Sequence, residues 1–258
     1  MIRFEGLSHH VEPGEHALAD ISFEIGAGER VVLLGANGSG KSTLLKIVNG
    51  LVFASAGRYH YDGREITPAA LKDRAFHRRF RREVVLLFQN PDSMLFNPSV
   101  FDEIAFGLRQ TGEPDVDEKV HHWARVCRVD KLLDRPPFKL SGGEKQKVCL
   151  AALLALEPKV VLLDEPAASL DPRSTGWLVD LLQDLEVTTL VTSHNLSMAP
   201  ELGERALVLG EDHRLLYDGP IQDFVRNPGK LIAANLVHIH RHRHDGHEHR
   251  HFHVHDWE

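Results

Sequence analysis

The stretch from Gly35 to Thr43 restricts what this chain can fold into more than any other segment, because it predicts a phosphate-binding loop. An apolar run from Val31 to Leu34 precedes it and predicts a buried strand, and the residues that follow have apolar positions at helical spacing. Glycines at a strand-to-helix turn let backbone N–H groups approach an anion, while a lysine and a serine add a charge for phosphates and a hydroxyl for Mg²⁺. The predicted nucleotide-binding residues are Gly35, Ala36, Asn37, Gly38, Ser39, Gly40, Lys41, Ser42 and Thr43.

A second glycine turn lies at Leu140 to Gln146, which reads Leu-Ser-Gly-Gly-Glu-Lys-Gln and opens a predicted helix. Ser141 is a natural helix cap, and Gly142 and Gly143 leave backbone N–H groups open at the helix start. This turn therefore predicts a second anion-binding site, one that has no lysine at the phosphate-loop position.

Acidic and histidine side chains follow two further predicted strands. Asp164 and Glu165 come directly after the apolar run 160–163, and His194 follows the predicted strand 188–191. In open α/β sheets, ligands bind at the carboxyl ends of the strands. We therefore expect these three side chains to lie beside the bound phosphates.

Composition narrows the class of protein. The 258 residues carry a formal net charge of −7, which disfavours a nucleic-acid partner bound through a broad basic surface. Cys127 and Cys149 have no metal-ligand spacing and predict ordinary apolar packing in a reducing compartment. The N-terminus predicts no secretory signal, and no apolar run approaches the ~18 residues of a membrane span, so a soluble chain is expected.

The order of these motifs resembles that of the ATP-binding-cassette (ABC) ATPases over residues 1 to about 235. The similar elements are the Walker A loop at 35–42, the Q-loop Gln89, the signature sequence at 140–146, Walker B at 160–165, the D-loop Leu170-Asp171 and the switch residue His194. The resemblance implies an α/β fold of the P-loop NTPase (RecA-like) type, with an antiparallel β edge and a helical subdomain. It places one domain at 1–236, with a helical insertion at about 91–157.

The resemblance also implies catalytic roles, with ATP and Mg²⁺ as cofactors. Glu165 would orient or deprotonate the attacking water, His194 would contact the γ-phosphate, and Gln89 would sense the γ-phosphate and the metal. The implied ligands of Mg²⁺ are Ser42, Gln89 and Asp164.

Two such cassettes, identical or different, are expected to pack head to tail. The Ser141-Gly142-Gly143 turn of one chain would close on the ATP held by Lys41 of the other. The D-loop residue Asp171 is counted with the nucleotide-binding residues on the same resemblance.

Recognition of the base departs from the family pattern. ABC ATPases usually stack adenine on an aromatic residue upstream of Walker A, whereas the corresponding position here is near Val11, beside His9 and His10. Two alternatives stay open: an apolar contact from Val11, or stacking by a histidine.

Residues 88–107 are more distinctive and resemble the ATPase subunits of energy-coupling-factor importers, especially the cobalt and nickel branch. The resemblance implies separate transmembrane subunits that dock beside Gln89, and a peripheral location on the cytoplasmic face of the cell membrane. Two alternatives remain: an importer ATPase for another substrate, such as a vitamin or zinc, or a metal-storage or sensor protein whose cassette only regulates.

Residues 237–258 form a histidine-rich tail that holds nine of the chain's 18 histidines. Such a composition cannot form a core and predicts disorder without a ligand. Neutral imidazoles at every second position can bind a transition metal such as Ni²⁺, Co²⁺, Zn²⁺ or Cu²⁺. A metal-binding tail, a solvated basic tail and an expression tag are the three interpretations. The candidate ligands are His238, His240, His242, His244, His247, His249, His251, His253 and His255.

Overall fold

The computed structural model describes residues 1–12, 15–244 and 247–254, with residue 15 and residues 238–254 described by their backbone alone. The strands are β1 (Ile2–Glu12), β2 (Glu15–Ile25), β3 (Arg30–Gly35), β4 (Ala56–Tyr61), β5 (Arg64–Glu65), β6 (Val84–Leu87), β7 (Val160–Leu163), β8 (Thr188–Thr192), β9 (Arg205–Leu209), β10 (Leu215–Pro220), β11 (Val237–His244) and β12 (His247–Val254). The α-helices are α1 (Lys41–Val48), α2 (Arg74–Glu83), α3 (Val100–Thr111), α4 (Val116–Val126), α5 (Gly142–Leu154), α6 (Pro172–Asp184), α7 (Ala199–Leu202), α8 (Ile221–Val225) and α9 (Pro228–Ala233).

A six-stranded sheet in the order β10-β9-β3-β8-β7-β6 forms the centre of the fold. Every neighbouring pair in it is parallel except β9 and β10. In β3, Val31 and Leu33 belong to one buried apolar cluster, and Val32 and Leu34 belong to the other. Both faces of the sheet are therefore covered, which explains why β3 is continuously apolar.

An antiparallel sheet in the order β2-β1-β4-β5 is the β edge that the resemblance implied. Its inner face contributes Phe4, Phe23 and Tyr59. The centroid of the Phe4 ring lies 4.7 Å from that of Phe23 and 4.9 Å from that of Tyr59. These rings join the apolar cluster that also holds alternate residues of β3. This packing places β2 in contact with α1.

Helices α3, α4 and α5 lie between β6 and β7 in the chain, within the predicted helical insertion. Ser99 caps α3 by accepting a hydrogen bond from Asp102 N at 3.1 Å. Buried apolar residues of the three helices belong to the same cluster as one face of the sheet. Within the described part of the chain, none of the helices combines the length and the apolar character that crossing a membrane requires.

The described part of the tail contains two strands that the sequence analysis did not predict. Strands β11 and β12 form an antiparallel hairpin in which Val237 lies opposite Val254 and His244 opposite His247. The expectation considered composition alone, whereas histidine at every second position is also the period of a strand, and Asp245-Gly246 is a typical hairpin-turn pair. Residues 245 and 246 and the candidate ligand His255 lie outside the described residues.

Candidate active site

Five parallel strands bring polar residues to one edge of the central sheet. Gly35 ends β3, and Gln89, Asp164, His194 and Glu211 follow β6, β7, β8 and β9 respectively. Because the carboxyl ends of parallel strands share an edge, these residues line one cleft of about 620 Å³. The sheet topology alone therefore gathers motifs that are far apart in the sequence.

The cleft includes most of the residues predicted from the sequence. Ser39 is the one predicted loop residue that does not line the cleft. It is 2% exposed, and its Oγ is buried. The predicted residues that line the cleft are Gly35, Ala36, Asn37, Gly38, Gly40, Lys41, Ser42, Thr43, Gln89, Asp164, Glu165 and His194.

Gly40 shows why the loop needs glycine. Its φ is 106°, and a Cβ there would collide with the carbonyl oxygen of Ala17 and lie 2.8 Å from Leu18 Cδ2. Gly40 also occupies the N-cap position of α1. Because it has no side chain to cap the helix, the first N–H groups of α1 stay available for an anion.

The Lys41 side chain is hydrogen-bonded to the backbone of the phosphate-binding loop. Its Nζ donates to the carbonyl oxygens of Gly35 at 2.7 Å and Ala36 at 3.0 Å, and the residue is 8% exposed. Burial lowers the pKa of Lys41, and the nearby carboxylates of Glu165 and Asp164 oppose that shift. An ammonium has three N–H donors, so Lys41 can also bind a phosphate oxygen.

Thr192, at the end of β8, joins the two acidic residues. Its Oγ1 donates to Asp164 Oδ1 at 2.8 Å and accepts from Glu165 N at 2.8 Å. Thr192 is fully buried, and Asp164 is 7% exposed. One hydroxyl therefore fixes both the Asp164 carboxylate and the backbone that carries Glu165.

Glu165 and His194 form the pair at the centre of the cleft. His194 Nδ1 lies 2.9 Å from Glu165 Oε2, and the backbone N–H of His194 donates to the same oxygen at 3.3 Å. Since a carboxylate only accepts, Nδ1 is the donor. The Glu165 side chain is 13% exposed. Its backbone has a φ of 48°, which lies in the left-handed region that is unfavourable for residues other than glycine. The two contacts hold the carboxylate in one orientation.

The signature turn lies outside this cleft. Ser141 and Gly142 are exposed at the start of α5. Glu144 Oε2 accepts from Ser141 N and from Ser141 Oγ, both at 2.8 Å, and Ser141 Oγ accepts from Glu144 N at 3.4 Å. This capping box lowers the pKa of Glu144, chiefly through the Ser141 N–H. The turn is thus a preformed, outward-facing element.

Asp171 caps a helix and does not line the cleft. Its carboxylate caps α6, accepting from Arg173 N and Ser174 N at 3.0 Å and from Ser174 Oγ at 2.7 Å. The Ser174 hydroxyl is the main cause of its lowered pKa. The residue is not among those that line the nucleotide cleft.

The predicted base-binding region lies in β1 and β2, whose Ala17 abuts Gly40. His9 Nδ1 is 2.9 Å from the carbonyl oxygen of Phe53, so this histidine is tied into the fold. His10 and His16 lie opposite each other, with ring centroids 4.2 Å apart. Val11 is 65% exposed.

Sequence reasoning missed four residues of the site. Thr192 has no motif of its own, although it ends the strand before His194. Glu211, Asn235 and Leu236 line the cleft, and Asn235 Nδ2 donates to Glu211 Oε1 at 2.6 Å. Glu211 could have been found because it follows an apolar strand, as Asp164 and Gln89 do. Asn235 and Leu236 carry no such signal.

ATP and Mg²⁺ fit the residues that line the cleft. Ser42, Gln89 and Asp164 offer hydroxyl, amide and carboxylate oxygens, which are the hard ligands that Mg²⁺ prefers. The N–H groups at the start of α1 and the ammonium of Lys41 suit the charge of a triphosphate.

Comparisons with known proteins agree with this geometry. The family model described as ABC transporter matches residues 18–168. The nickel import ATP-binding protein NikO of Rhodobacter capsulatus is 41% identical over 236 residues, covering 87% of this chain and 91% of that protein. Several relatives of comparable identity are described only as ABC transporter ATP-binding proteins.

Two solved structures extend the likeness to the fold. That of cbiO1 from Clostridium perfringens, described as part of the ABC transporter complex cbiONQ, has a TM-score of 0.76 at 31% identity and covers 90% of this chain and 92% of that one. The dimeric structure of MJ0796, a bacterial ABC transporter cassette, has a TM-score of 0.76 at 25% identity and covers 86% and 99%. The chain therefore belongs to the ABC transporter family, as one of its ATP-hydrolysing cassettes.

Proposed function

We propose that this chain energises a membrane importer for nickel or cobalt ions from the cytoplasmic face of the membrane. The observation that carries the ATPase part is the Glu165–His194 pair in the same cleft as Lys41. The choice of cargo is supported by the likeness to the NikO nickel importer subunit and to cbiO1. Transport would pass through separate transmembrane subunits.

Hydrolysis would depend on Glu165 as the base or orienting group. Its carboxylate, held by the His194 N–H and Nδ1, accepts a hydrogen bond from the attacking water and takes up its proton. Lys41 and the N–H groups of α1 stabilise negative charge on the phosphates. Bound Mg²⁺ would neutralise charge on the β- and γ-phosphate oxygens. Gln89, which follows β6 into the helical insertion, would report the state of the nucleotide.

Two copies of the chain would close head to tail over two nucleotides. One surface holds the cleft with Lys41, and another exposes the turn at Ser141 and Gly142, so both halves of a closed site occur in a single sequence. A two-fold axis would bring each turn to the other chain's cleft and generate two equal sites. Asp171, beside the second cavity that Glu165 and His194 also line, would lie at this interface.

An apolar patch next to Gln89 suits a helix of a transmembrane subunit. Phe96 and Phe106 are 68% and 40% exposed, with ring centroids 4.8 Å apart. Phe88, the residue before Gln89, donates its N–H to the sulfur of Met94 at 3.5 Å, which connects the Q-loop to the segment that leads to Phe96. Aromatic residues exposed in one place are typical of binding surfaces.

Glu103 holds that patch in place. It is 5% exposed and accepts hydrogen bonds from the backbone N–H groups of Phe96 and Asn97 and from Asn97 Nδ2. This buried carboxylate fixes the loop that presents Phe96. A rigid docking loop could transmit a movement of Gln89 to the membrane subunit.

The ATPase proposal is tested with Glu165→Gln in the purified chain. We expect MgATP binding to persist and the hydrolysis rate to fall about 10²–10⁴-fold. Glu186→Gln, at an exposed acidic residue remote from the cleft, is the matched control and should keep the wild-type rate. A Glu165→Gln rate equal to that of the control would contradict the role of Glu165.

The cargo is tested in cells that lack the gene. We expect uptake of radioactive nickel or cobalt to fall and to return with the wild-type chain, but not with Glu165→Gln. Unchanged uptake of both ions, together with a loss of vitamin or zinc uptake, would replace the proposed cargo and leave the ATPase assignment standing.

A further inference from the structure

The C-terminal hairpin places its histidines in register. Each histidine of β11 has a histidine as its cross-strand partner in β12, so the two strands together carry a ladder of paired histidines, called the histidine ladder below. The four pairs are His238 with His253, His240 with His251, His242 with His249 and His244 with His247.

All eight ladder residues belong to one face of the hairpin. Successive residues of a strand alternate between faces, and directly opposed residues share one, so histidines two apart and paired across the strands fall together. Opposed residues in an antiparallel pair have Cα atoms about 4.5–5.5 Å apart, and each pair lies about 7 Å from the next.

The other face has a different chemistry. Val237 is opposite Val254 and Ile239 opposite Phe252, so apolar pairs lie at the end nearest the domain. Val237 is 5% exposed and belongs to the apolar cluster that also contains Val32 and Leu34 of β3, which joins the first residue of the hairpin to the folded domain. Further out, Arg241 is opposite Arg250. The paired histidines are therefore confined to one face of the hairpin.

We propose that the histidine ladder binds borderline divalent transition-metal ions, with each cross-strand histidine pair as one binding unit. Imidazole nitrogen is a preferred ligand of Ni²⁺ and Zn²⁺, which it binds at about 2.0–2.1 Å in the case of zinc. The described part of the tail has no cysteine, so the ladder offers nitrogen rather than thiolate ligands. Four pairs give up to four ions per chain.

Metal binding should also stabilise the hairpin. An isolated two-stranded hairpin is marginal in water. Its like-charged pair of Arg241 and Arg250 is unfavourable, whereas the pair of Arg243 and Glu248 is favourable. A ligand that binds the paired form but not an open chain shifts the equilibrium toward pairing. The proposal concerns metal capture by this chain and is measured without nucleotide, so it can fail while the proposed ATPase stands, and the reverse.

The test is equilibrium dialysis of the full chain against nickel sulfate at neutral pH without nucleotide, with bound nickel counted by mass spectrometry. A variant with all eight ladder histidines changed to asparagine measures binding by other residues. We expect about four more ions on the wild type than on this variant, one for each pair. Equal binding by the two proteins would overturn the proposal.

Two double variants test the pairing itself. His240→Asn with His251→Asn removes one pair and should cost one ion. His240→Asn with His249→Asn removes the same number of histidines but breaks two pairs and should cost two. An equal loss of bound ions in the two variants would show that the histidines bind metal without cross-strand pairing and would overturn the proposal.

A composition-matched variant and a second measurement complete the test. Exchanging His249 with Arg250 keeps the composition but moves one histidine to the other face, and should cost one ion. In hydrogen exchange, nickel should slow exchange of β11 and β12 in the wild type and leave the exchanged variant less protected. No nickel-dependent protection of the wild-type hairpin would contradict the cross-strand mode.

Discussion

Thr192→Val offers a direct test of how the acidic residues are held. Valine keeps the shape of threonine but removes the hydroxyl that donates to Asp164 Oδ1 and accepts from Glu165 N, both at 2.8 Å. The site is fully buried, so water cannot easily replace these bonds. The substitution therefore separates hydrogen bonding from packing.

The magnitude follows from the two lost bonds. A hydrogen bond to a charged group is worth about 1.5–3 kcal/mol, and an unpaired buried N–H costs about 1–3 kcal/mol. Because Asp164 opens on the cleft and keeps some access to water, we take the low end of both ranges. The free energy of unfolding should fall by about 2.5 kcal/mol.

Thr192→Ser is the matched control, because it keeps the hydroxyl and loses one methyl group, worth about 1 kcal/mol. The assay is urea unfolding of both variants beside the wild type, followed by ATPase rates under native conditions. The valine variant should be less stable than the serine variant by about 1.5 kcal/mol and hydrolyse ATP more slowly. Equal stability and equal rates would refute the role of the hydroxyl.

Three further predictions concern other parts of the fold. Burial raises the pKa of Cys127 and Cys149 to about 12, so neither thiol should react with a disulfide reagent at pH 8 until the chain unfolds; fast labelling of the native chain would contradict their burial. Gly40→Ala adds a Cβ against the Ala17 carbonyl at a φ of 106°, and should weaken nucleotide binding in calorimetry and lower stability by at least about 1–2 kcal/mol. Glu103→Ala removes the buried acceptor of three N–H groups and should destabilise the chain by about 2–4 kcal/mol in urea unfolding, with Glu103→Gln losing less.

The polar residues that follow the apolar strands were predictable from the sequence. Gln89, Asp164 and His194 each follow an apolar run, and the parallel order of the strands brings them to the Gly35 loop. The glycine loop constrains its own backbone, since Gly40 tolerates no Cβ. Local pattern and sheet topology agree at these positions, so the fold and the gathering of these residues in one cleft were predictable.

The remaining features depend on contacts between distant segments. Thr192 is one of several threonines in or near strands, and its role appears only when β7 and β8 are paired. The sequence does not show that Asp171 caps α6, which only its hydrogen bonds to Arg173 and Ser174 reveal. In the tail, cross-strand register rather than composition organises the histidines.

Mixing two inactive variants tests the proposed dimer, in which each active site combines the Lys41 cleft of one chain with the Ser141 turn of another. Lys41→Ala disables the cleft, and Ser141→Arg blocks the turn, so each variant alone should show only background ATPase activity. In a mixed dimer, one of the two sites has both elements intact, and random pairing restores about one quarter of the wild-type sites. A clear rise in activity on mixing is the predicted result, and a mixture no more active than either variant alone would contradict the account.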